Sequence, residues 1–502
     1  MEAHAKHSQS GSEAPAKPRG VELNGINSID AREHRGQPRE LFWPWFAANI
    51  SVLGVSYGSF LLGFGISFWQ ATIVGAVGIV LSFLLCGFIA LSGKRGHAPT
   101  MTLSRAAFGT NGNRLPSAVS WLLTVGWETV LASLAVLATA TVFTELGLGG
   151  GLPVKIAALV LVAALIVGGG IIGFDFIMKL QMWITVITGV LTIVFMILVI
   201  DKIDFATLAA LPAGSTPQFI GGLVFMMTGF GLGWVNAAGD YSRYLPRQAS
   251  SPAVVLWTTF GASLGPIILL IFGLLLAGSS ADLSTSIASD PIGALTTLLP
   301  AWFLIPFALV AVLGLIGGAV LDIYSSGLAL LSVGLKAPRF VAASIDGVLM
   351  VAGSIYIVFF AGDFLGPFQG FLITLGVPVA AWCGIFLADL LLRRKGYAAK
   401  ELFQTTGRYG NVRLVPVILL LLGTAVGWGL VTNSSAAWLS WQGYLLGAFG
   451  GREGDWAYAN LGVLAALLLG FLGYLLFGRA AVRRQEALPL SEQDQLVPEP
   501  EL

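Results

Sequence analysis

The chain has 502 residues, 56% of them hydrophobic and 11% charged, with a formal net charge of +1 and a mean hydropathy of +0.83. An ordinary soluble domain carries about 25% charged residues, so this chain cannot clothe a core of its size in a water-facing shell. The composition excludes a soluble globular protein and fits one whose outward face is apolar because it meets lipid. The balanced charge gives no reason to expect a nucleic-acid partner. Cys86 and Cys383 lie in apolar runs and read as packing residues, not as a disulfide.

Residues 1–40 are polar with mixed charges and are expected to form a disordered tail, followed by a short interfacial segment at Leu41–Trp45. No cleavable signal peptide is expected ahead of the first span. Twelve candidate spans follow, at 45–66, 68–92, 117–145, 153–173, 176–200, 216–238, 252–278, 303–332, 343–361, 366–391, 413–432 and 458–477. Each is near or above the ~20 residues that a helix needs to cross about 30 Å of hydrocarbon. The third and eighth are long enough to tilt. Lys and Arg concentrate in alternate connections: Lys94, Arg95, Arg105 and Arg114 after span two, Arg243 and Arg247 after span six, Lys336 and Arg339 after span eight, and Arg393 to Arg413 after span ten. This bias puts both termini on the cytoplasmic side of the cell membrane.

The first span carries Gly54, Gly58, Gly63 and Gly65, and the sixth carries Gly221, Gly222, Gly229, Gly231 and Gly233. Glycine often does no more than let helices approach closely. Here the two clusters head two successive sets of five spans. That is the pattern of transporters built from an inverted five-helix repeat, whose first helices break at the midplane and offer free backbone groups to substrate and ion. Discontinuity is expected in both. The corresponding division is 41–200 for the first repeat, 216–391 for the second, 392–477 for two trailing spans and 478–502 for a cytoplasmic tail.

The third span holds Glu128 in the run Trp127-Glu128-Thr129. A carboxyl in a membrane segment should face the bundle or a wet cavity. It serves either as a proton or substrate group or as a structural acid bonding a neighbouring helix. The sixth span ends Phe230-Gly231-Leu232-Gly233-Trp234-Val235-Asn236. Trp127 with Phe230 or Trp234 has the makings of a slot for a flat ring, stacking being worth about 1–3 kcal/mol per base, and Asn236 could read the ring edge. Asp240 and Arg243 close this span and, with Arg105, are expected to form an inner gating network. The eighth span holds Asp322, with Ser325 and Ser326 on the same helix face. That patch suits substrate or a small cation, or else a polar seam between helices. Trp43, Trp45, Trp302, Trp438, Trp441 and Trp456 read as interfacial anchors.

No phosphate-binding Gly-rich loop with Lys-Ser/Thr is present, and His4, His7, His34 and His97 all lie outside the spans. An enzyme, a cofactor and a resident metal are not expected.

Two stretches carry a resemblance to a known family: Gly93-Lys94-Arg95-Gly96-His97-Ala98-Pro99 continuing to Ser104-Arg105-Ala106-Ala107-Phe108-Gly109, and Ala238-Gly239-Asp240-Tyr241-Ser242-Arg243-Tyr244-Leu245-Pro246. Leu53-Gly54 through Phe64-Gly65 fits as well. Together they resemble the nucleobase–cation symporter-1 family of purine–cytosine permeases and their uracil, allantoin, hydantoin and thiamine relatives. The similarity runs from about residue 22 to residue 477. It implies an all-α, LeuT-like membrane fold of twelve helices with a five-plus-five inverted repeat, and alternating access driven by a proton or sodium gradient. It implies that Trp127 and Phe230, or alternatively Trp234, sandwich the substrate, with polar groups from spans one, three and eight at its edges. It also implies a cation site between spans one and eight, with Gly54, Ser56, Ser325 and Ser326 as the nearest candidates. Where relatives often carry Asn or Gln one turn after the tryptophan, this chain has Leu131. Glu128 and Asp322 favour proton coupling, and an acidic edge favours cytosine or a purine. Thiamine, or allantoin, a hydantoin or uracil within the same family, or an amino acid or amine carried on the same fold, are the alternatives.

Overall fold

The computed structural model describes residues 24–361, 364–433 and 437–489. Most of the two expected tails, residues 1–23 with His4 and His7 and residues 490–502, lies outside the described residues. The described chain is helical throughout, and every one of the twelve predicted spans coincides with a helix or a broken helix pair. Span one is Phe42–Asn49 plus Leu53–Leu62, span two Phe68–Gly96, span three Arg114–Glu145, span four Leu152–Ile172 and span five Phe174–Val199. Span six is Thr216–Gly229, two 3-10 turns and Ala238–Ser242. Spans seven to ten are Ser251–Ser279, Leu304–Val333, Arg339–Phe360 and Leu365–Leu392, and spans eleven and twelve are Leu414–Gly429 and Gly462–Phe477. Among the described residues nine helices are long and apolar enough to cross a membrane unaided, and up to eleven if each bent pair counts once. Leu414–Gly429 and Gly462–Phe477 have 16 residues each, a rise of about 24 Å, and are the short ones.

Local chemistry sets the ends. Spans two and six each begin on a capping box, Ser67 with Gln70 and Ser215 with Gln218. The Gln70 side chain also bonds the backbone of Gly214 in both directions, which ties the two starts together. Spans four and five meet at Gly173, whose φ of 103° is open to glycine and strained for other residues.

Span one bends by 65° between its halves. The break falls at Ile50–Val52, ahead of the glycines expected to cause it. Polar side chains support it: Asn49 Nδ2 donates to the Trp45 carbonyl at 2.8 Å, and Ser51 Oγ accepts from the Leu53 N–H that opens the second half. The second bond satisfies an N–H that a helix start leaves orphaned. The glycines instead pack. A Cβ on Gly58 would lie 2.3 Å from the Gly273 carbonyl carbon of span seven. In span six the glycines do mark the break. The helix stops at Gly229, Phe230 takes an irregular conformation (φ −123°, ψ −108°), and Gly231–Gly233 form a 3-10 turn. Gly231 N–H donates to Ser82 Oγ at 3.0 Å, and a Cβ there would fall 2.1 Å from the Ser82 carbonyl carbon.

Span eight packs along span three, span seven along span two, and span twelve along span ten. The most apolar windows of spans six and ten are 78% buried, against 33% for span five. The broken helix therefore sits at the centre and span five at the lipid-facing rim, where Ile193 and Ile197 are exposed.

Residues 24–40 do not behave as the disordered tail expected of them. They run across the basic end of the bundle. Ile29 N–H donates to the His97 carbonyl and Arg35 N–H to the Tyr244 carbonyl, each at 2.7 Å, while the Arg35 side chain pairs with Asp175 at the start of span five. Trp45 is no interfacial anchor. It is fully buried, edge-on to Trp234 and Tyr241, because the helix expected to lie along the interface is the first half of span one.

Candidate functional site

The two breaks face each other across a cavity of about 50 Å³. Its wall includes Asn49, Ser51 and Gly54 beside the first break, Phe230 and Trp234 at the second, Trp127 and Leu131 on span three, and Asp322 on span eight. Tyr57 closes one side, its ring centroid 4.6 Å from that of Phe230. Trp127 is fixed edge-on by Phe368 and Phe371 of span ten. Gly233 lets Trp127 approach, since a Cβ there would lie 2.9 Å from its indole nitrogen. None of the described residues hydrogen-bonds that nitrogen or either carboxyl oxygen of Asp322. The arrangement is four aromatic rings around one unengaged carboxyl, with the loose backbone of two helix breaks alongside. Small-molecule pockets usually enclose about 300–1,000 Å³, so the rings are closed over the site in this conformation.

Of the residues predicted for substrate, Trp127, Phe230, Trp234 and Asp322 line this cavity, and the expected cation residue Gly54 lines it too. Gly231 lies at the span-six break but does not line the cavity; its N–H goes to Ser82 Oγ and its carbonyl accepts from Cys86 Sγ. Two more do not reach the cavity. Asn236 sits beyond the second break, where its side chain donates to Ser120 Oγ at 2.7 Å. Glu128 follows Trp127 on the helix, and the turn of about 100° between them leaves its side chain out of the cavity lining. Glu128 looks instead toward Asp346, Ser326 and Asp322. It is completely buried, and no described residue hydrogen-bonds either of its oxygens.

The expected cation residues are scattered. Ser56 donates to the Pro291 carbonyl, Ser325 meets the Tyr241 hydroxyl at 3.0 Å, and Ser326 donates to Asp346 Oδ2 at 2.8 Å. The expected gating network is also divided. Asp240 accepts from the Thr100 N–H and hydroxyl, at 2.8 and 2.9 Å. Arg243 donates to the Tyr324 hydroxyl and the Gly25 carbonyl. Arg105 lies over the Phe403 ring; burial pushes its guanidinium down to about 10, which leaves it charged at neutral pH. All three lie at the basic end: the Arg243 charge acts on Asp240, while Arg105 reaches the Ser332 carbonyl of span eight.

Asp346 of span nine was missed among the acids of the spans. It is fully buried and accepts from Trp121 Nε1 at 2.7 Å as well as from Ser326. It sits inside the predicted ninth span, and that placement was the available signal. Asn49 and Ser51 were missed too, although polar residues flanking Ile50 were a readable sign of the break.

A cavity between two discontinuous helices inside a bundle of this topology defines a membrane transporter. The chain matches, over residues 28–457, the family described as permeases for cytosine/purines, uracil, thiamine and allantoin, and it belongs to that family. It is a permease, not an enzyme. It is similar to YxlA of Bacillus subtilis, assigned as a purine-cytosine permease, with 24% identity over 87% of this chain and 93% of the relative. It is also similar to the purine-cytosine permease FCY2 of Saccharomyces cerevisiae, with 23% identity over 86% and 82%. Among solved structures it resembles Mhp1, a nucleobase-cation-symport-1 family transporter, in a closed conformation with bromovinylhydantoin bound. The TM-score is 0.66 at 18% identity, covering 92% of this chain and 99% of that one. A substrate-bound, outward-open Na+-coupled sialic acid symporter gives a TM-score of 0.58 at 12% identity, over 89% and 91% of the two chains. The fold is thus the LeuT-like transporter fold that the resemblance implied.

Proposed function

We propose that the protein is a secondary active symporter that imports cytosine or a purine together with a proton, by alternating access at the cavity between spans one, three, six and eight. One observation carries the reading: Asp322, buried and without a hydrogen-bond partner among the described residues, stands in the wall of an aromatic slot. An ionised carboxylate only accepts hydrogen bonds. It can take the exocyclic amino N–H that cytosine and the aminopurines carry, a donor that a ring with only N–H groups flanked by carbonyls does not offer. Trp127 and Phe230 supply stacking faces. The purine-cytosine permease relatives and the ring bound to Mhp1 support a small heterocycle. The basic end carries Lys94, Arg95, Arg243 and Arg247 and is assigned to the cytoplasm of a cell-membrane protein, with both termini on that side. Proton coupling is favoured because Ser56, Ser325 and Ser326 are each bonded elsewhere and do not form one shell.

Uptake of radiolabelled cytosine and adenine into cells making the protein tests this. The expected outcome is saturable uptake that the two bases compete for, abolished by a protonophore and indifferent to replacing sodium with choline. Absence of saturable uptake of both bases would end the substrate assignment. A sodium requirement would end the proton assignment. Thiamine is the second reading, since its cation would also suit Asp322; competition by thiamine but not adenine would favour it.

A further inference from the structure

Behind the cavity, spans three, eight and nine bury a polar line that the substrate has no need of. It starts at Asp322 in the cavity wall. Glu128 lies next, fully buried, with both carboxyl oxygens unbonded by any described residue. The Ser326 hydroxyl stands beside Glu128 without closing a hydrogen bond to it, and it donates to Asp346 at 2.8 Å. Asp346 takes a second bond from Trp121 Nε1 at 2.7 Å. Asp346 and Trp121 each lie seven residues, about two helical turns, from the basic ends of their helices at Arg339 and Arg114. The line therefore leads from the cavity toward that end.

Glu128 and Asp346, the two acids behind the cavity wall, differ in kind. Asp346 has a donor on each oxygen, which suits an ionised acceptor. Glu128 has none, and an unpaired carboxylate cannot be left in a dry interior. The surroundings offer no neutralising partner. The acids facing Glu128 are Asp346 of span nine and Asp322 of span eight. Tyr241 of span six is engaged with Leu321 and Ser325. Arg339 at the start of span nine spends its guanidinium on the Gly170 and Ile171 carbonyls of span four. Among the described residues no group of three or more His, Cys, Asp or Glu could hold a metal ion.

We infer that Glu128, Ser326 and Asp346 form a proton-carrying relay, separate from the substrate cavity, through which the coupling proton passes between Asp322 and the basic end. This rests on the symport reading above. In the transfer step the Glu128 O–H gives its proton to Ser326 Oγ as the Ser326 O–H gives its own to Asp346. One O–H bond breaks and one forms at the serine, which ends unchanged. Glu128 becomes the carboxylate and Asp346 the acid. The motion required is closure of the Glu128 side chain onto Ser326. All three residues sit on spans three, eight and nine, outside the two broken helices, so the relay can stay assembled while the substrate cavity opens and closes.

The test uses the full-length protein in liposomes loaded with a pH-sensitive dye. In the wild type, cytosine should drive proton influx and accumulate against its gradient. In Glu128→Gln and Asp346→Asn, proton influx and accumulation should be lost, while exchange of labelled for unlabelled cytosine continues. A merely structural role would impair exchange as well. Ser326→Ala, which leaves both acids in place, should slow proton influx and spare exchange, and it serves if either carboxyl variant fails to fold. Infrared titration gives a readout that needs no substrate: the wild type should show the C=O stretch of a protonated acid that Glu128→Gln removes. Cytosine-coupled proton influx of wild-type size in both Glu128→Gln and Ser326→Ala would overturn the relay. An infrared band assigned to Glu128 in a protein that carries neither cytosine nor adenine would retain the proton site and overturn the symport reading instead.

Discussion

At the residue scale, position on the helix decides what an acid does. Glu128 and Asp322 look alike in the sequence, each a lone carboxyl in an apolar run. One lies behind the cavity wall and the other within it. Asp322→Asn keeps the shape but removes the charge. A hydrogen bond to a charged group is worth about 1.5–3 kcal/mol, so cytosine affinity should fall about 10- to 150-fold, read by equilibrium binding to the purified protein. Trp127→Ala removes one stacking face, worth about 1–3 kcal/mol, and should weaken binding about 5- to 150-fold. If cytosine and a fully reduced, non-planar analogue lose affinity equally in Trp127→Ala, the ring does not stack there.

At the scale of elements, the breaks and the strap over the basic end matter most. Gly58 lets spans one and seven touch backbone to backbone. Gly58→Ala should cost about 1–3 kcal/mol through overpacking and lower the thermal midpoint in detergent; an unchanged midpoint would show that the two spans are free to part. The strap over the basic end carries a pH dependence. His34 and His97 stack with ring centroids 3.7 Å apart. Burial, then the positive neighbours His34, Arg247 and Lys94, hold His97 down to about 4, and burial holds His34 below its usual value. A free histidine titrates near 6.5. Both rings are therefore neutral above that value, and the strap is fully favoured there. As pH falls from about 6.5 toward 4, proton uptake favours the released strap. Amide exchange over residues 29–35 should accelerate on acidification, and His97→Asn, which tolerates the left-handed backbone at this position (φ 51°), should flatten that response.

For the whole molecule, the trailing spans are clamped to the core by a buried ion pair. Arg393 donates to both oxygens of Asp389 at the end of span ten, Tyr474 of span twelve donates to the same carboxylate, and Gln485 accepts from Arg393. Breaking one side leaves a buried charge unpaired, which costs about 3–5 kcal/mol. Asp389→Asn should therefore lower folded yield and thermal midpoint far more than Glu401→Gln, whose salt bridge to Arg408 is partly exposed. Equal losses in the two variants would mean that the clamp is not a structural keystone.

The twelve spans were legible in the sequence because lipid demands ~20 apolar residues per crossing, a property local to each segment. The span-six break was legible for a similar reason: Gly229, Gly231 and Gly233 occur where only a missing Cβ lets Trp127, Tyr57 and Ser82 approach. Three of the four aromatic rings of the cavity, Trp127, Phe230 and Trp234, could be named because they lie beside glycines and polar groups; Tyr57, between Ser56 and Gly58, carries the same signal and was passed over. What sequence could not determine was which way a side chain points once helices cross. It could not show that Glu128 turns from the cavity, that Asn49 and Ser51 rather than glycines support the first break, that Ser56, Ser325 and Ser326 find three separate partners, or that Asp346 joins Trp121 and Ser326 across three spans. Those are contacts between residues as many as 235 positions apart. They depend on the rotation and crossing of each helix, which only the packed bundle determines.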